Sequence, residues 1–404
     1  PVGNLAGDGG GILNGALLGN ISGKSTLSLD NANISSNVAT TLGGGIATRL
    51  GSSTTITNSL ISKNYCQGIL FGGSGDIGGG GVSNTALSTT TIANSTITSN
   101  NTIGAGGGIL NIAGDVNLTN NTISHNQSKL LGGGVVSILA SSAPFGEVNL
   151  RNTIVAKNQS LSGVDLVSSD VLGVLGAFNS LGNNLIGNNV NAEADFEASA
   201  FVGVNPQPNA NVDLVGNVVV ANQIIDPLLT PLRHYGGPTN SRLPLVGSPA
   251  LNSGNNCVQN SSCGSNNPPV SLAFDQRGTG FPRIVNSTTE IGATEGPTNP
   301  VALLVTTLAD DESDGCGTNE CTLREAIDEA NADFEFDEIY QLDLSGWFEQ
   351  CVFVNSLVSV SGRVLGYAVA RIQEGFVTIE HHLVDDRGAA RAWLAARTQE
   401  ARTL

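Results

Sequence analysis

Apolar and polar positions alternate along the first 160 residues in short bursts of period two, the spacing of strands rather than helices. The bursts sit at fixed offsets from a seven-residue unit that occurs five times: Asn31 to Asn37, Asn58 to Asn64, Asn94 to Asn100, Asn120 to Asn126 and Asn152 to Asn158. Each unit has Asn at both ends and a β-branched apolar residue at its fourth position: Ile34, Ile61, Ile97, Ile123 and Val155. Two residues before each unit stand Leu29, Ile56, Ile92, Leu118 and Leu150. Four residues before stand Leu27, Thr54, Thr90, Val116 and Val148. A glycine triplet followed by Ile or Val recurs as well, at Gly9–Ile12, Gly43–Ile46, Gly79–Val82, Gly106–Ile109 and Gly132–Val135.

The leading asparagines are 27, 36, 26 and 32 residues apart. A repeat of this period, too small to bury its own apolar face, points to a solenoid whose stacked turns build a continuous core. The expected fold is all-β: a right-handed parallel β-helix with two to three short strands per coil, followed by a small irregular C-terminal α+β region. Variable spacing places loops of variable length at one corner. Coils stacked at about 4.8 Å would put the asparagines in two columns of amide ladders at the bends, in left-handed backbone that Asn tolerates. The glycine triplets would make tight corners with positive φ. An antiparallel sandwich of short strands gives no reason for Asn at a fixed offset from Ile through five units.

Coils are expected over 1–225, with less regular strands at Val171–Leu175, Leu185–Ile186, Leu214–Val220 and Ile224–Ile225. A distinct end segment follows over 226–296, then a segment over 301–340 and a tail of unassigned type over 341–404. Residues Asp385–Arg402 read as a short helix.

Composition narrows the function. Only 13% of residues are charged, against 40% hydrophobic and 52 glycines, which fits a thin-cored β architecture. Net charge is −17, and no basic stripe exists, so nucleic acid is not an expected partner. No run of 18 apolar residues occurs, so no transmembrane helix is expected. The chain starts at Pro1 and holds no Met, so it is expected to begin downstream of its natural start.

Cys257 with Cys263, and Cys316 with Cys321, each close a short polar loop. A disulfide in an exported protein is preferred over a metal site, which would want four ligands. Cys66 and Cys351 are left as free thiols.

Glycan cleavage would need carboxylates converging on one face of neighbouring coils. The outward position before each leading Asn reads Asp30, Thr57, Ala93, Thr119 and Arg151; two residues earlier it reads Ser28, Thr55, Thr91, Asn117 and Asn149. Neither column holds an acidic pair. Asp76 and Asp115 sit at other offsets, and Asp165 and Asp170 lie beyond the regular coils. A flat Thr array of the ice-binding kind is broken by Asn117, Asn149 and Arg151. His125 reads as a solvated side chain, and His381 and His382 with Asp385 and Asp386 as a polar helix start. The acidic loop Asp310, Asp311, Glu312 and Asp314 lacks the ligand spacing of an EF-hand. Asp275 and Arg277 are expected to fix a turn through a charge-assisted bond. No catalytic residue, cofactor site or metal site is therefore expected.

Two stretches carry a resemblance. Asn179 to Gly187, with Asp226-Pro227-Leu228-Leu229, Gly236-Gly237-Pro238-Thr239, Gly247-Ser248-Pro249-Ala250, Asp275-Gln276-Arg277-Gly278, Arg283 and Ile291-Gly292-Ala293, resembles the end segment of bacterial choice-of-anchor Q surface proteins. These are similar to β-helical polymorphic outer-membrane proteins. Val305-Thr306-Thr307, Asp310-Asp311, Cys316, Cys321-Thr322-Leu323-Arg324-Glu325-Ala326-Ile327 and Ala330-Asn331-Ala332 resemble the Cys-Ser-Leu-Arg-Glu-Ala motif segment, with Thr322 in place of its Ser. In that segment Arg324 and Glu325 read as parts of a short capping helix. The resemblance implies extracellular or cell-surface display, associated with the outer membrane. The expected role is a non-catalytic scaffold or adhesin whose partners are glycans or other cell-surface components. The alternative is a polysaccharide lyase or glycoside hydrolase of the β-helix type.

Overall fold

The computed structural model describes residues 5–15, 24–68, 78–85, 87–138, 146–162, 165–168, 170–174, 178–221, 223–245, 247–264, 268, 271–296, 350–358, 364–373 and 376–383. The chain divides into a unit over 1–300 and a second over 301–404.

The first unit is a parallel β-solenoid of about six turns. Four sheets form its walls, and a full turn contributes one short strand to each. One full turn runs Ser53–Thr57, Leu60–Ser62, Tyr65–Cys66 and Val82–Thr85; the next runs Thr89–Ala93, Thr96–Thr98, Asn101–Thr102 and Ile109–Ile112. Two to three strands per coil was therefore too few, because the segments after the trailing Asn and after the glycine triplet each pair with the turns above and below. The extra residues also fall at two corners rather than one, between Cys66 and Gly79 and between Ile138 and Val148.

Register confirms the apolar files. Ile34, Ile61, Ile97, Ile123, Val155, Ile186 and Val215 pair rung to rung in one wall. All belong to one buried core. Leu29, Ile56, Ile92, Leu118 and Leu150 form the opposing file, and Ile12, Ile46, Val82, Ile109, Val135 and Val171 a third. Each fully buried Ile or Leu contributes about 1.5–3 kcal/mol of transfer free energy, and a single turn has nothing to bury it against.

Amide ladders run beside these files. The Nδ2 of Asn37 donates to Asn64 Oδ1, and the pattern repeats through Asn100, Asn126 and Asn158, each step 2.9 Å. The remaining Nδ2 hydrogen reaches a backbone carbonyl one turn back, as from Asn100 to Ile61 at 3.0 Å. Threonines at inward positions are served in the same way: Thr54 and Thr48 share a hydroxyl bond of 2.7 Å, and Thr90 donates to Asn84 Oδ1 at 2.9 Å.

Only the leading Asn column adopts left-handed backbone, with φ near +50° at Asn31, Asn58, Asn94, Asn120 and Asn152. At the second bend the left-handed residue is the one before the trailing Asn: Ser36, Lys63, Ser99, His125 and Lys157. The trailing Asn is instead selected by its buried amide. In the glycine triplets only the first residue has positive φ, as at Gly79 (φ 74°). The second is glycine because turns close in on it: a Cβ on Gly80 would lie 2.4 Å from the Gly107 carbonyl oxygen.

Past the regular coils, Val171–Val174, Leu185–Ile186 and Leu214–Val215 are strands. The strand expected over Leu214–Val220 stops at Val215, and Val218–Ala221 forms one helical turn begun by Asn217, whose Oδ1 accepts from Val219 N. Ile224 and Ile225 lie outside any strand, although Ile225 is buried. No helix among the described residues is long and apolar enough to cross a membrane.

The second unit shows three antiparallel strands, Gln350–Val358, Val364–Gln373 and Phe376–Leu383. His381 and His382 lie in the last of these, not at a helix start. Arg324, Glu325, the pair Cys316 and Cys321, the acidic loop at Asp310, and the helix expected over Asp385–Arg402 lie outside the described residues, as does Asp76.

Candidate functional site

The segment over 226–296 folds back along the outside of the solenoid. It covers the wall that carries Ile34, Ile61, Ile97 and Ile123 on its inner side. Outward hydroxyls of that wall become its anchors. Thr96 donates to Gln276 Oε1 at 2.6 Å, Arg242 Nε donates to Thr98 Oγ1 at 3.2 Å, and Ala293 N donates to Thr122 Oγ1 at 3.0 Å. Asn152 Nδ2 donates to the Asn255 carbonyl while its Oδ1 accepts from Asn255 N. The Cys257–Cys263 disulfide forms as expected and packs, with Val258 and Leu272, over Ala93. The thiol of Cys66 is free and buried, and burial raises its pKa to about 11.

This return segment corrects the expected outer faces. Thr57, Ala93, Thr119 and Arg151 were read as an outward column, yet all four are buried. Arg151 donates to the Cys263 carbonyl oxygen at 3.3 Å. Asp30 alone of that column stays exposed; it accepts from Thr57 Oγ1, Asn58 Nδ2 and Asn31 Nδ2, each at 2.7 Å.

Five ionisable side chains of the return segment form a buried cluster: Asp275, Arg277, Arg283, Glu290 and Glu295. Arg277 grips Asp275 through Nε and Nη2, the latter at 2.7 Å, which fixes the expected turn. Asp275 also accepts from Arg277 N and Glu295 N, each at 2.8 Å. Arg283 Nη1 donates to Glu295 Oε1 at 2.9 Å and bonds the carbonyls of Gly292 and Ala293. It also reaches Asn94 Oδ1 in the solenoid. Burial pushes the carboxyls of Glu290 and Glu295 well above the usual range, aided by the charge of Glu295 at Glu290 and of Asp275 at Glu295, while Arg283 opposes the rise at both. Glu290 Oε2 accepts from Gly296 N. Every member of this cluster is thus held inside the protein by neighbouring groups. The sequence reading foresaw only the Asp275–Arg277 contact.

One wall stays open. Its middle column reads Ser28, Thr55, Thr91, Asn117, Asn149 and Asn179 on successive rungs. Asn179 donates to Asn149 at 2.8 Å and Asn149 to Asn117 at 3.1 Å. The outer column of the same wall reads Thr26, Ser53, Thr89, Asp115, and Glu147 follows next to it, its backbone N 3.5 Å from Asp115 Oδ1. Asp115 and Glu147 therefore make an acidic pair on adjacent rungs. The sequence reading missed it because it followed only the two columns nearest the leading Asn. Both residues stand five positions before a leading Asn, so the signal was present. Asp170, by contrast, is buried against Asn158, and burial raises its pKa to about 7. Asp165 lies in the strand Asp165–Ser168. His125 is exposed, as expected.

Where the open wall meets the return segment there is a cleft of about 500 Å³. Asn31, Asn58 and Asn94 line one side; Pro238, Phe274, Arg277 and Thr279 line the other. Among the described residues no group of three or more His, Cys, Asp or Glu side chains is arranged to hold a metal ion. No protein-family model, curated protein or solved structure matches this chain.

Proposed function

We propose that the protein is a non-catalytic, secreted or cell-surface β-helix scaffold that holds glycans or other cell-surface components. The observation that carries this reading is the open wall. Its middle column offers hydroxyls and amides at Ser28, Thr55, Thr91, Asn117 and Asn179, on rungs about 4.8 Å apart with Asn149 buried among them, while the ionisable cluster of the return segment is bonded within the protein. A repeated column of uncharged hydrogen-bonding side chains suits many weak contacts, and repetition multiplies modest affinities. The Cys257–Cys263 disulfide fits an oxidising location outside the cytosol. The resemblance of 179–296 to choice-of-anchor Q surface proteins supports display on the bacterial envelope.

Sedimentation of the full chain with a panel of insoluble polysaccharides tests this reading. Retention without new reducing ends or unsaturated products is the expected result. Absence of retention on every polysaccharide overturns it.

The adjacent carboxylates Asp115 and Glu147 favour a second reading, a glycoside hydrolase, because two carboxyl groups across a scissile bond are the required pair. Turnover by the natural chain that is abolished in both Asp115→Asn and Glu147→Gln would establish it over the first.

A further inference from the structure

The cleft beside the leading Asn column has a chemistry distinct from the flat wall. Its volume of about 500 Å³ falls within the range of about 300–1,000 Å³ typical of small-molecule sites. It combines one exposed aromatic face with fixed polar groups, the usual division of labour in such sites. Phe274 is 41% exposed. It is tied to the solenoid through its backbone carbonyl, which accepts from Asn94 Nδ2 at 2.8 Å.

The polar side is pre-organised. Left-handed backbone fixes Asn31 and Asn58 on successive rungs. Asn58 Oδ1 accepts from Asn94 Nδ2 at 3.0 Å, and one Nδ2 hydrogen goes to Asp30. Its other Nδ2 hydrogen has no partner among the described residues. Asn31 gives one hydrogen to Asp30, and its carbonyl oxygen takes no bond among the described residues. One free donor and one free acceptor are thus held a rung apart, with the exposed Thr279 across the opening.

Charge decides the ligand class. The one cation lining the cleft, Arg277, is gripped by Asp275, donates to the Glu295 carbonyl oxygen, and lies 4.1 Å from the centre of the Phe281 ring. It is 7% exposed. No lining carboxylate is free either, because Asp275 is fully buried and bonded. An anionic glycan would find no free counter-charge among the lining residues, and Asp30, bonded to both Asn31 and Asn58, would repel it.

We infer that this cleft binds a neutral carbohydrate, a sugar ring laid with its C–H face on Phe274 and its hydroxyls on the Asn31 and Asn58 amides. The site rests on the glycan-holding reading above and locates it. Phe274 and Thr279 stand on the return segment, and their alteration leaves the solenoid files untouched.

Titration of the full chain with soluble neutral oligosaccharides of glucose, mannose and galactose, and in parallel with oligouronates, tests it. A neutral oligosaccharide is expected to bind, and Phe274→Ala and Thr279→Trp are each expected to weaken it at least tenfold. Val204→Trp, at an exposed turn outside both the wall and the cleft, is expected to leave that affinity unchanged, while Thr55→Trp probes the open wall. Neutral binding that survives both cleft variants but is lost in Thr55→Trp overturns the cleft and leaves the glycan reading standing. Preference for oligouronates overturns the charge argument. Failure of every sugar, with polysaccharide sedimentation also negative, removes both readings together.

Discussion

Asp170 closes the amide ladder by accepting from both the backbone N and the Nδ2 of Asn158, at 2.8 and 3.0 Å. A second ladder ends likewise, with Asp213 accepting from Asn184 N and Nδ2 at 2.8 and 3.0 Å. An acceptor with no amide hydrogens of its own ends a chain of donors without leaving a donor unmatched.

That ending makes stability depend on pH. Burial raises Asp170 to about 7 and also raises Asp213, Glu290 and Glu295. A carboxyl raised on folding binds more protons folded than unfolded, between about pH 4, its unfolded value, and its folded value. Its stabilising contribution is full below about pH 4 and is lost as pH rises through that folded value, about 7 for Asp170, by at most about 1.4 kcal/mol per pH unit for each group. The melting temperature should fall from pH 5 to pH 8. Asp170→Asn keeps an acceptor for Asn158 and should flatten that slope in calorimetric scans.

The central file sets the second expectation. Ile97 is fully buried between Ile61 and Ile123. Ile97→Ala should destabilise the protein by about 2–5 kcal/mol, read as a lowered denaturant midpoint. Thr55→Ala, at a half-buried outward position of the open wall, should change it by less than about 0.5 kcal/mol.

Ladder amides should be as costly to remove as core methyls. Asn100 donates to Asn126 and the Ile61 carbonyl, and accepts from Asn64 N and Nδ2. Asn100→Leu has a similar shape but strands buried donors at about 1–3 kcal/mol each. A loss of at least 2 kcal/mol is expected; an unchanged denaturant midpoint would contradict the ladder's energetic role.

Arg283 tethers the return segment. Arg283→Met leaves Glu295 buried without its partner, at a cost of about 3–5 kcal/mol, and removes the bond to Asn94. Limited proteolysis should then cut within 271–296 under conditions where the natural chain resists.

The apolar files, the αL asparagines and the disulfide were legible because each repeats, or closes a loop, within a short window of sequence. A column of buried polar residues beside the third file, Asn14, Thr48, Asn84, Asn111 and Ser137, was also written at a fixed offset from the glycine triplets. Burial of Arg151 was not legible. An outward position on a β-helix faces water unless something distant covers it, and Cys263 lies 112 residues away. The cleft escaped for the same reason, since Asn58 and Phe274 meet only after the chain doubles back. Asp115 and Glu147 were within reach of the repeat and needed only a wider column.

The doubling back also imposes an order of events on a chain made from its N-terminus. Thr96 and Gln276 are 180 residues apart, so the early turns must stack and persist with one flank wet until the distant portion has been synthesised. Between those moments the flank of hydroxyls and backbone is a vacant seat, open to a chaperone, a neighbouring molecule or the protein's own latecomer.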